Sequence, residues 1–513
     1  MSEEIITIRV YRYDPDVDVS PKIEEYAVEK YPGMRAVEAL EKINQKYGAN
    51  IAFSWSCKEW HCGSCGVLIN GVPTLLCRQE IFDGDIIEPL PLPVVRDLVV
   101  DRSALAELSV EIYRKVDEFG ASGLLKEEDT HNLKDLGTCM DCDVCYVSCP
   151  YFVPENKTFV GPEHMVDVSR FVFDPRINQN KALRVANELG VWDCITCKLC
   201  DVRCPKEINP MEWILSVRQR IIETPQLKLT PPKIRDLNES LLRNGNPYGL
   251  PRRVRGDWAK DLEIKDLSKD SGAEYLYFAG CAQCYDPRDQ IVAKAIVGIL
   301  KVANIDFGIL GNEETCCGDA AKNTGEQGLY EELITRNTEM FRKSGVKRIV
   351  TTSPHCFNSF LNDYNLEIEV LHYTQLLAEL IEKGNIQFSG NIDKKITYHD
   401  PCYLGRYNGV YDEPRIVLSS IPGVKLIEMD KNREMSFCCG GGGGGNWIET
   451  ETRPRLSEIR AKQAEKTGAE ILAVACPFCR AMLEDAIKSS GINMEVKHIA
   501  ELVFEAMEVE RCK

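Results

Sequence analysis

No stretch of 18 or more apolar residues interrupts this 513-residue chain, so a membrane span is not expected. Basic charge is short. The 62 lysines and arginines face 79 acidic residues, for a net charge of −17, which argues against a nucleic-acid or anionic-membrane surface. An acidic substrate in a locally basic cleft remains compatible with that balance. No flavin-binding fingerprint is present, and the glycine run Gly440–Gly445 forms no phosphate-loop motif. No secretory leader precedes MSEEIITIRVYRYD, so a secreted disulfide scaffold is not expected. A cytoplasmic location is.

Cysteine is abundant. There are 23, mostly two or three residues apart, a usage that reads as metal binding in so long a chain. Cys57, Cys62, Cys65 and Cys77 have the plant-type [2Fe–2S] spacing. A loop presents three thiolates and the next strand returns the fourth, while Gly63 and Gly66 allow close backbone approach. His61, inside the loop, reads as an exposed loop residue. Cys139, Cys142, Cys145 and Cys149 form one bacterial ferredoxin run, and Cys194, Cys197, Cys200 and Cys204 a second, each followed by proline. In such pairs the fourth cysteine of each run serves the other cluster. Cys139, Cys142, Cys145 and Cys204 are thus expected on one [4Fe–4S] cubane, and Cys194, Cys197, Cys200 and Cys149 on the other.

The second half is duplicated. Cys281 and Cys402, Cys316 and Cys438, and Cys356 and Cys479 lie 121, 122 and 123 residues apart. The first module reads Cys281, Cys316-Cys317, Ser353 and Cys356; the second reads Cys402, Cys438-Cys439, Cys476 and Cys479. Strand-like YLYFA, KRIVTT, KITYH and EILAVA precede cysteine groups. Distant thiolates then meet at the strand ends of an open α/β sheet. The first module, with Ser353 in place of a thiol, is suited to an iron–sulfur cluster or to zinc. Cys284 stands outside the pattern as a spare thiol or substitute ligand. The adjacent Cys438-Cys439 pair suits neighbouring irons, and the glycines after it remove side-chain bulk for close backbone approach. His399, Tyr403, Arg406 and His355 flank the thiols as candidate proton donors or anion contacts. His372 and His498, at equivalent repeat positions, are expected to serve the fold. Arg252, Arg253 and Arg255 read as solvated connector charges, and Cys512 as a free thiol.

The expected architecture is multi-domain α+β. Residues 1–105 form a β-grasp [2Fe–2S] ferredoxin domain and 106–225 an α-helical domain with two [4Fe–4S] clusters. Residues 226–272 form a linker holding one helical patch. Residues 273–388 and 389–513 form two tandem α/β modules.

Residues 5–215, through YRYDPD, SCKEWHCGSCGVLINGVPTLLC and IEPLPLPVVRDLVVD, resemble the iron–sulfur subunit of succinate dehydrogenases and fumarate reductases. Those subunits usually lack one ligand of the second run and hold a [3Fe–4S] cluster beside a quinone; Cys197 completes the run here, which weakens a quinone reading. The duplicated half, through FAGC, GNEETCCG, HDPCYLGR, SFCCGGGG and CPFC, resembles the CCG (cysteine-rich) domains of heterodisulfide reductases. That resemblance implies a noncubane [4Fe–4S] cluster on Cys402, Cys438, Cys439, Cys476 and Cys479, with thiol–disulfide chemistry there and His399 and Arg406 beside it. The combination is similar to the B subunit of the thiol:fumarate reductases of methanogenic archaea. It implies oxidation of coenzyme M and coenzyme B thiols, or the reverse, and electron passage to a separate flavin (FAD) A subunit. An iron–sulfur subunit of a 2-hydroxy-acid or quinone-linked dehydrogenase, or a non-catalytic electron carrier, stays open as an alternative.

Overall fold

The computed structural model describes residues 4–116, 125–153, 156, 158–448 and 454–507; Cys512 lies outside them. Among these residues no helix is long and apolar enough to cross a membrane. The chain divides into two compact units. The N-terminal unit holds residues 1–191 and 199–217, and the C-terminal unit holds 192–198 and 218–513.

In the N-terminal unit, strand β1 (Glu4–Arg12) alternates buried Ile6, Ile8 and Val10 with outward neighbours, as period-2 patterning demands. It pairs antiparallel with β2 (Lys22–Lys30) along its whole length and parallel with β5 (Ile86–Pro89). Strands β3 (Gly66–Ile69) and β4 (Val72–Leu75) form the expected hairpin. Its two turn residues, Asn70 and Gly71, have φ of 53° and 74°, the positive pair that a two-residue hairpin needs. The sheet order β2-β1-β5-β3-β4, with helix Ala36–Tyr47 burying Ala36, Val37, Leu40 and Ile43 on it, is the β-grasp. A short ribbon, β6 (Val94–Arg96) with β7 (Val99–Val100), follows. Beyond it the unit is helical, from Ser103–Val116 to Pro210–Ile222.

The C-terminal unit contains two parallel sheets of one topology. Strands β8 (Lys265–Asp266), β9 (Tyr275–Phe278), β10 (Phe307–Ile309), β11 (Arg348–Thr351) and β12 (Glu369–His372) are ordered β12-β11-β9-β10-β8. Strands β13 (Lys395–Tyr398), β14 (Lys425–Leu426), β15 (Ile471–Val474) and β16 (Glu495–His498) are ordered β14-β13-β15-β16. Strand for strand, β13, β14, β15 and β16 repeat β9, β10, β11 and β12. The near-continuous apolar runs YLYF and ILAV are what sheets covered on both faces require.

The stretch 226–272 carries structure of its own. Helix Pro232–Asn244 buries Ile234, Leu237 and Leu241. Trp258 and Leu267 enter the core shared by both modules, and β8 adds an edge strand to the first sheet. Across the module boundary, buried Arg480 donates to both carboxylate oxygens of Asp289 at 2.8 and 2.9 Å. His372 and His498 are fully buried. His372 bonds Thr374 and the Thr352 carbonyl, and His498 bonds the Tyr373 hydroxyl, all ties within the scaffold.

Candidate functional site

The thiols gather at loops that follow strands. In the [2Fe–2S] loop the Glu59 and His61 amides donate to Cys57 Sγ at 3.4 and 3.3 Å, and the Trp60 amide donates to Cys77 Sγ at 3.3 Å. Lys58 and Trp60 sit at positive φ, 59° and 44°, strain that turns these amides toward sulfur. Cys65 and Cys77 Sγ are 3.4 Å apart, a contact that holds Cys77 down at about 6. His61 is exposed, beside Lys206 Nζ at 3.3 Å.

Cys139, Cys142, Cys145 and Cys204 line one small cavity with Glu163. A cysteine of the second run thus joins three of the first. Burial pushes Cys142 up to about 12 and Cys145 well above its usual range. An all-sulfur set held protonated by burial is one that metal binding would discharge of protons. The two runs share a backbone device. Asp141 and Asp143 (φ 48° and 58°) recur as Thr196 and Lys198 (47° and 63°). Cys149 and Cys200 belong to the N-terminal unit, and Cys194 and Cys197 to the segment grouped with the C-terminal unit.

In the first module Cys281, Cys316, Cys317 and Cys356 line one cavity with Ser353, Asp319 and His355, closed by Trp447, Pro477 and Phe478 of the second. Sulfur contacts run from Cys281 to Cys316, Cys317 and Cys356 in turn. The Gly318 amide donates to Cys316 Sγ at 3.4 Å, from a glycine at φ 89°. Cys284 lies elsewhere, its Sγ 3.7 Å from the Glu314 carboxylate. Arg255, expected as a solvated charge, is fully buried. It bonds Glu314 at 2.7 Å and donates to Cys281 Sγ at 3.4 Å. Its neighbour Arg252 stays at the surface, bound to the Asn312 and Glu313 carbonyls. Charge alone could not separate them; only the packing of 226–272 against the module does.

In the second module all five cysteines converge and are buried. Sulfur contacts link Cys402 to Cys438, Cys438 to Cys439, Cys439 to Cys479 at 3.3 Å, and Cys479 to Cys476. The Gly440 amide donates to Cys438 Sγ at 3.5 Å, with φ 87°, repeating Gly318. Cys438 also contacts the Cys197 sulfur. Contact with Cys438 and Cys479 pulls Cys439 well below the usual thiol range.

His399 lies with Cys439 and Cys479, their ligand atoms all within 4.8 Å of one another. Its Nδ1 accepts from Arg460 Nε at 3.1 Å, so the ring proton sits on Nε2, facing sulfur. Arg406 is buried among Cys197, Cys402 and Cys438, but its Nε and Nη1 go to the Cys197, Glu434 and Ser436 carbonyls. Tyr403 stacks on His355 at 3.9 Å. His355 in turn bonds Asp319 at 2.7 Å and contacts Cys476. Burial opposes a charged ring, yet Asp319 and Cys476 outweigh it and push His355 up to about 10. The donor sets of all these groups fit iron–sulfur ligation.

A β-grasp thiol loop, a paired ferredoxin motif and two cysteine-lined sheet edges define an iron–sulfur electron-transfer oxidoreductase. Residues 7–107 match the 2Fe-2S iron-sulfur cluster binding domain, 135–208 the 4Fe-4S dicluster domain, and 275–361 and 396–484 the Cysteine-rich domain. The chain is 32% identical over 515 residues to the B subunit of fumarate reductase (CoM/CoB) from Methanothermobacter marburgensis, covering 97% of this chain and 99% of that protein. It belongs to that family. It is also 32% identical to the D subunit of dihydromethanophenazine:CoB–CoM heterodisulfide reductase from Methanosarcina mazei, over 74% of this chain and 98% of the relative. A crystal structure of a hypothetical protein from Helicobacter pylori, 11% identical, shares the fold with a TM-score of 0.63, covering 100% of this chain and 96% of that one.

Proposed function

We propose that this chain is the iron–sulfur subunit of a thiol:fumarate reductase, with thiol chemistry at the second cysteine-rich module. The observation that carries it is the convergence of Cys402, Cys438, Cys439, Cys476 and Cys479 on one buried site that Cys197 of the ferredoxin run also touches. The ligand set is one [2Fe–2S] on Cys57, Cys62, Cys65 and Cys77, two [4Fe–4S] cubanes on the ferredoxin runs, and a noncubane-type [4Fe–4S] on those five cysteines. A further cluster or zinc belongs to Cys281, Cys316, Cys317 and Cys356.

Bound there, iron–sulfur centres supply one-electron steps and an iron that small-molecule sulfur can reach. The residues do the rest. His399 Nε2–H is aimed at the Cys439 and Cys479 sulfurs, and Arg460 fixes that tautomer. Asp319 holds His355 against Cys476. Arg406 ties Cys197 to the Glu434–Ser436 segment. The relative's name supports coenzyme M and coenzyme B as the thiols, and a flavin-carrying fumarate reductase polypeptide as the partner. Two thiols joined as a disulfide release two electrons and two protons, and fumarate takes up two of each to become succinate.

The test is anaerobic oxidation of coenzyme M plus coenzyme B by the isolated chain with an artificial electron acceptor. Cys438→Ser or Cys439→Ser should abolish it and leave the [2Fe–2S] spectrum intact. Activity that survives either change removes the second module from the chemistry.

A further inference from the structure

Two distant parts of the chain meet one spatial demand with the same residue types. In the N-terminal unit, Gly63 lies between Cys62 and Cys65 at φ 70°, and a Cβ there would overlap the Met140 carbonyl in the Cys139–Cys142 loop. Arg102 spans that contact. It donates to the Gly63 carbonyl at 3.4 Å and to the Asp141 carbonyl, and pairs with Asp143. In the C-terminal unit, Gly442 and Gly443 follow the Cys438-Cys439 pair. A Cβ on either would overlap the carbonyl of Ile195 or Cys194. Fully buried Arg218 spans this contact, donating to the Cys194 carbonyl at 2.6 Å and the Gly443 carbonyl at 3.0 Å. Arg406 adds a second tie, from the Cys197 carbonyl at 2.7 Å to the Ser436 carbonyl at 2.6 Å.

In each case a cysteine loop of one group abuts a cysteine loop of another through bare glycine, and a guanidinium fork bonds both. Burying a guanidinium is costly unless its donors are used, and one planar fork reaches two loops at once where an ammonium cannot. Simple chain packing needs neither the glycine nor the charge. Electron exchange between two centres falls steeply with their separation, so the spacing of these loops matters beyond stability.

We propose that Gly63 with Arg102, and Gly442–Gly443 with Arg218 and Arg406, are positioning residues that fix the spacing between successive cysteine loops and so the electronic coupling of the centres they hold. This rests on the reading that the loops bind iron–sulfur centres. Metal and sulfide analysis of the unaltered protein tests that reading separately, because absent iron would sink it before any variant is made.

The experiment uses the full-length, anaerobically purified protein with Arg406→Gln and, at the other contact, Arg102→Gln. Iron and sulfide content, the electron paramagnetic resonance of each reduced centre, the spin–spin broadening between neighbouring centres, and the stopped-flow rate at which dithionite electrons equilibrate among the centres are read in parallel. Full iron and sulfide, retained individual signals, loss of the broadening at the altered contact and slower equilibration are expected. Arg406→Lys should restore part of the coupling. Unchanged broadening and rate with full metal would overturn the proposal. So would outright loss of a centre in both glutamine variants, because a positioning residue leaves the ligands in place.

Discussion

Arg255 Nη2 lies 2.7 Å from Glu314 Oε1, with both side chains buried beneath the first cysteine module. The same carboxylate accepts the Ala279 and Gly280 amides at 3.1 and 3.0 Å, immediately before Cys281. A residue of the 226–272 stretch therefore helps to hold the first thiol of the module in place.

Removing one partner of such a pair leaves the other charge buried and unpaired. Arg255→Met should destabilise the protein by about 3–5 kcal/mol, whereas Arg255→Met with Glu314→Leu should recover much of that. Anaerobic denaturant unfolding of the metal-loaded protein, followed by circular dichroism, measures both. A loss below about 1 kcal/mol for the single change would mean the pair is solvated in solution.

His164 gives the N-terminal unit an acid-sensitive element. It is fully buried, with neither ring nitrogen hydrogen-bonded, and stacks on Tyr146 at 5.6 Å. Burial pulls it down to about 4. Because the folded value lies below the unfolded one, the stability it contributes is present above about 6.5 and is lost as pH falls through 4. The loss approaches about 3 kcal/mol for a shift of this size. His164→Phe should flatten the fall in stability between pH 6.5 and 4 relative to the parent, read as midpoint shifts in parallel unfolding curves. Parallel pH profiles would show that the ring is hydrated or paired in solution.

Gly63 and Gly71 share nearly the same backbone, φ 70° and 74°, but not the same surroundings. A Cβ at Gly71 meets nothing within 4 Å, while one at Gly63 meets Met140 and Cys142. Gly71→Ala should cost only the conformational penalty, about 1 kcal/mol. Gly63→Ala should cost more and disturb the [2Fe–2S] absorption. Equal losses, with equal visible spectra, would show that the Cys139–Cys142 loop yields freely.

Legibility followed locality. The ferredoxin spacings, the Asn70-Gly71 hairpin and the strand before each cysteine group are short-range patterns, and the fold follows them. The near-constant offset exposed the duplication because both modules bind at equivalent positions. Gly442 and Gly443 could be read as allowing close approach, but the atoms approached, in Ile195 and Cys194, lie far back in the chain. Arg255 escaped for the same reason: its burial depends on how 226–272 packs, and no periodicity reports that. The roles of His399 and Arg406 were reachable only as proximity to Cys402, since the tautomer depends on Arg460 and the carbonyl ties depend on Cys197.

The first module tests what its missing thiol does. Ser353 lines the same cavity as Cys281, Cys316, Cys317 and Cys356, at the place that Cys476 takes in the second module. Cys284, by contrast, faces Glu314. If position 353 alone separates the two thiol sets, Ser353→Cys should raise iron and sulfide per chain, or replace zinc by iron, and add a resonance like that of the second module. Cys284→Ala should change neither metal nor sulfide content, whereas Cys281→Ala should lower the metal bound by the first module. Elemental analysis with electron paramagnetic resonance on the anaerobic proteins separates these outcomes. Metal loss in Cys284→Ala would make that thiol a ligand that moves on loading, and an unaltered Ser353→Cys would place the difference between the modules in Asp319 and His355, which face the first cavity where the second module has Gly441 and Phe478.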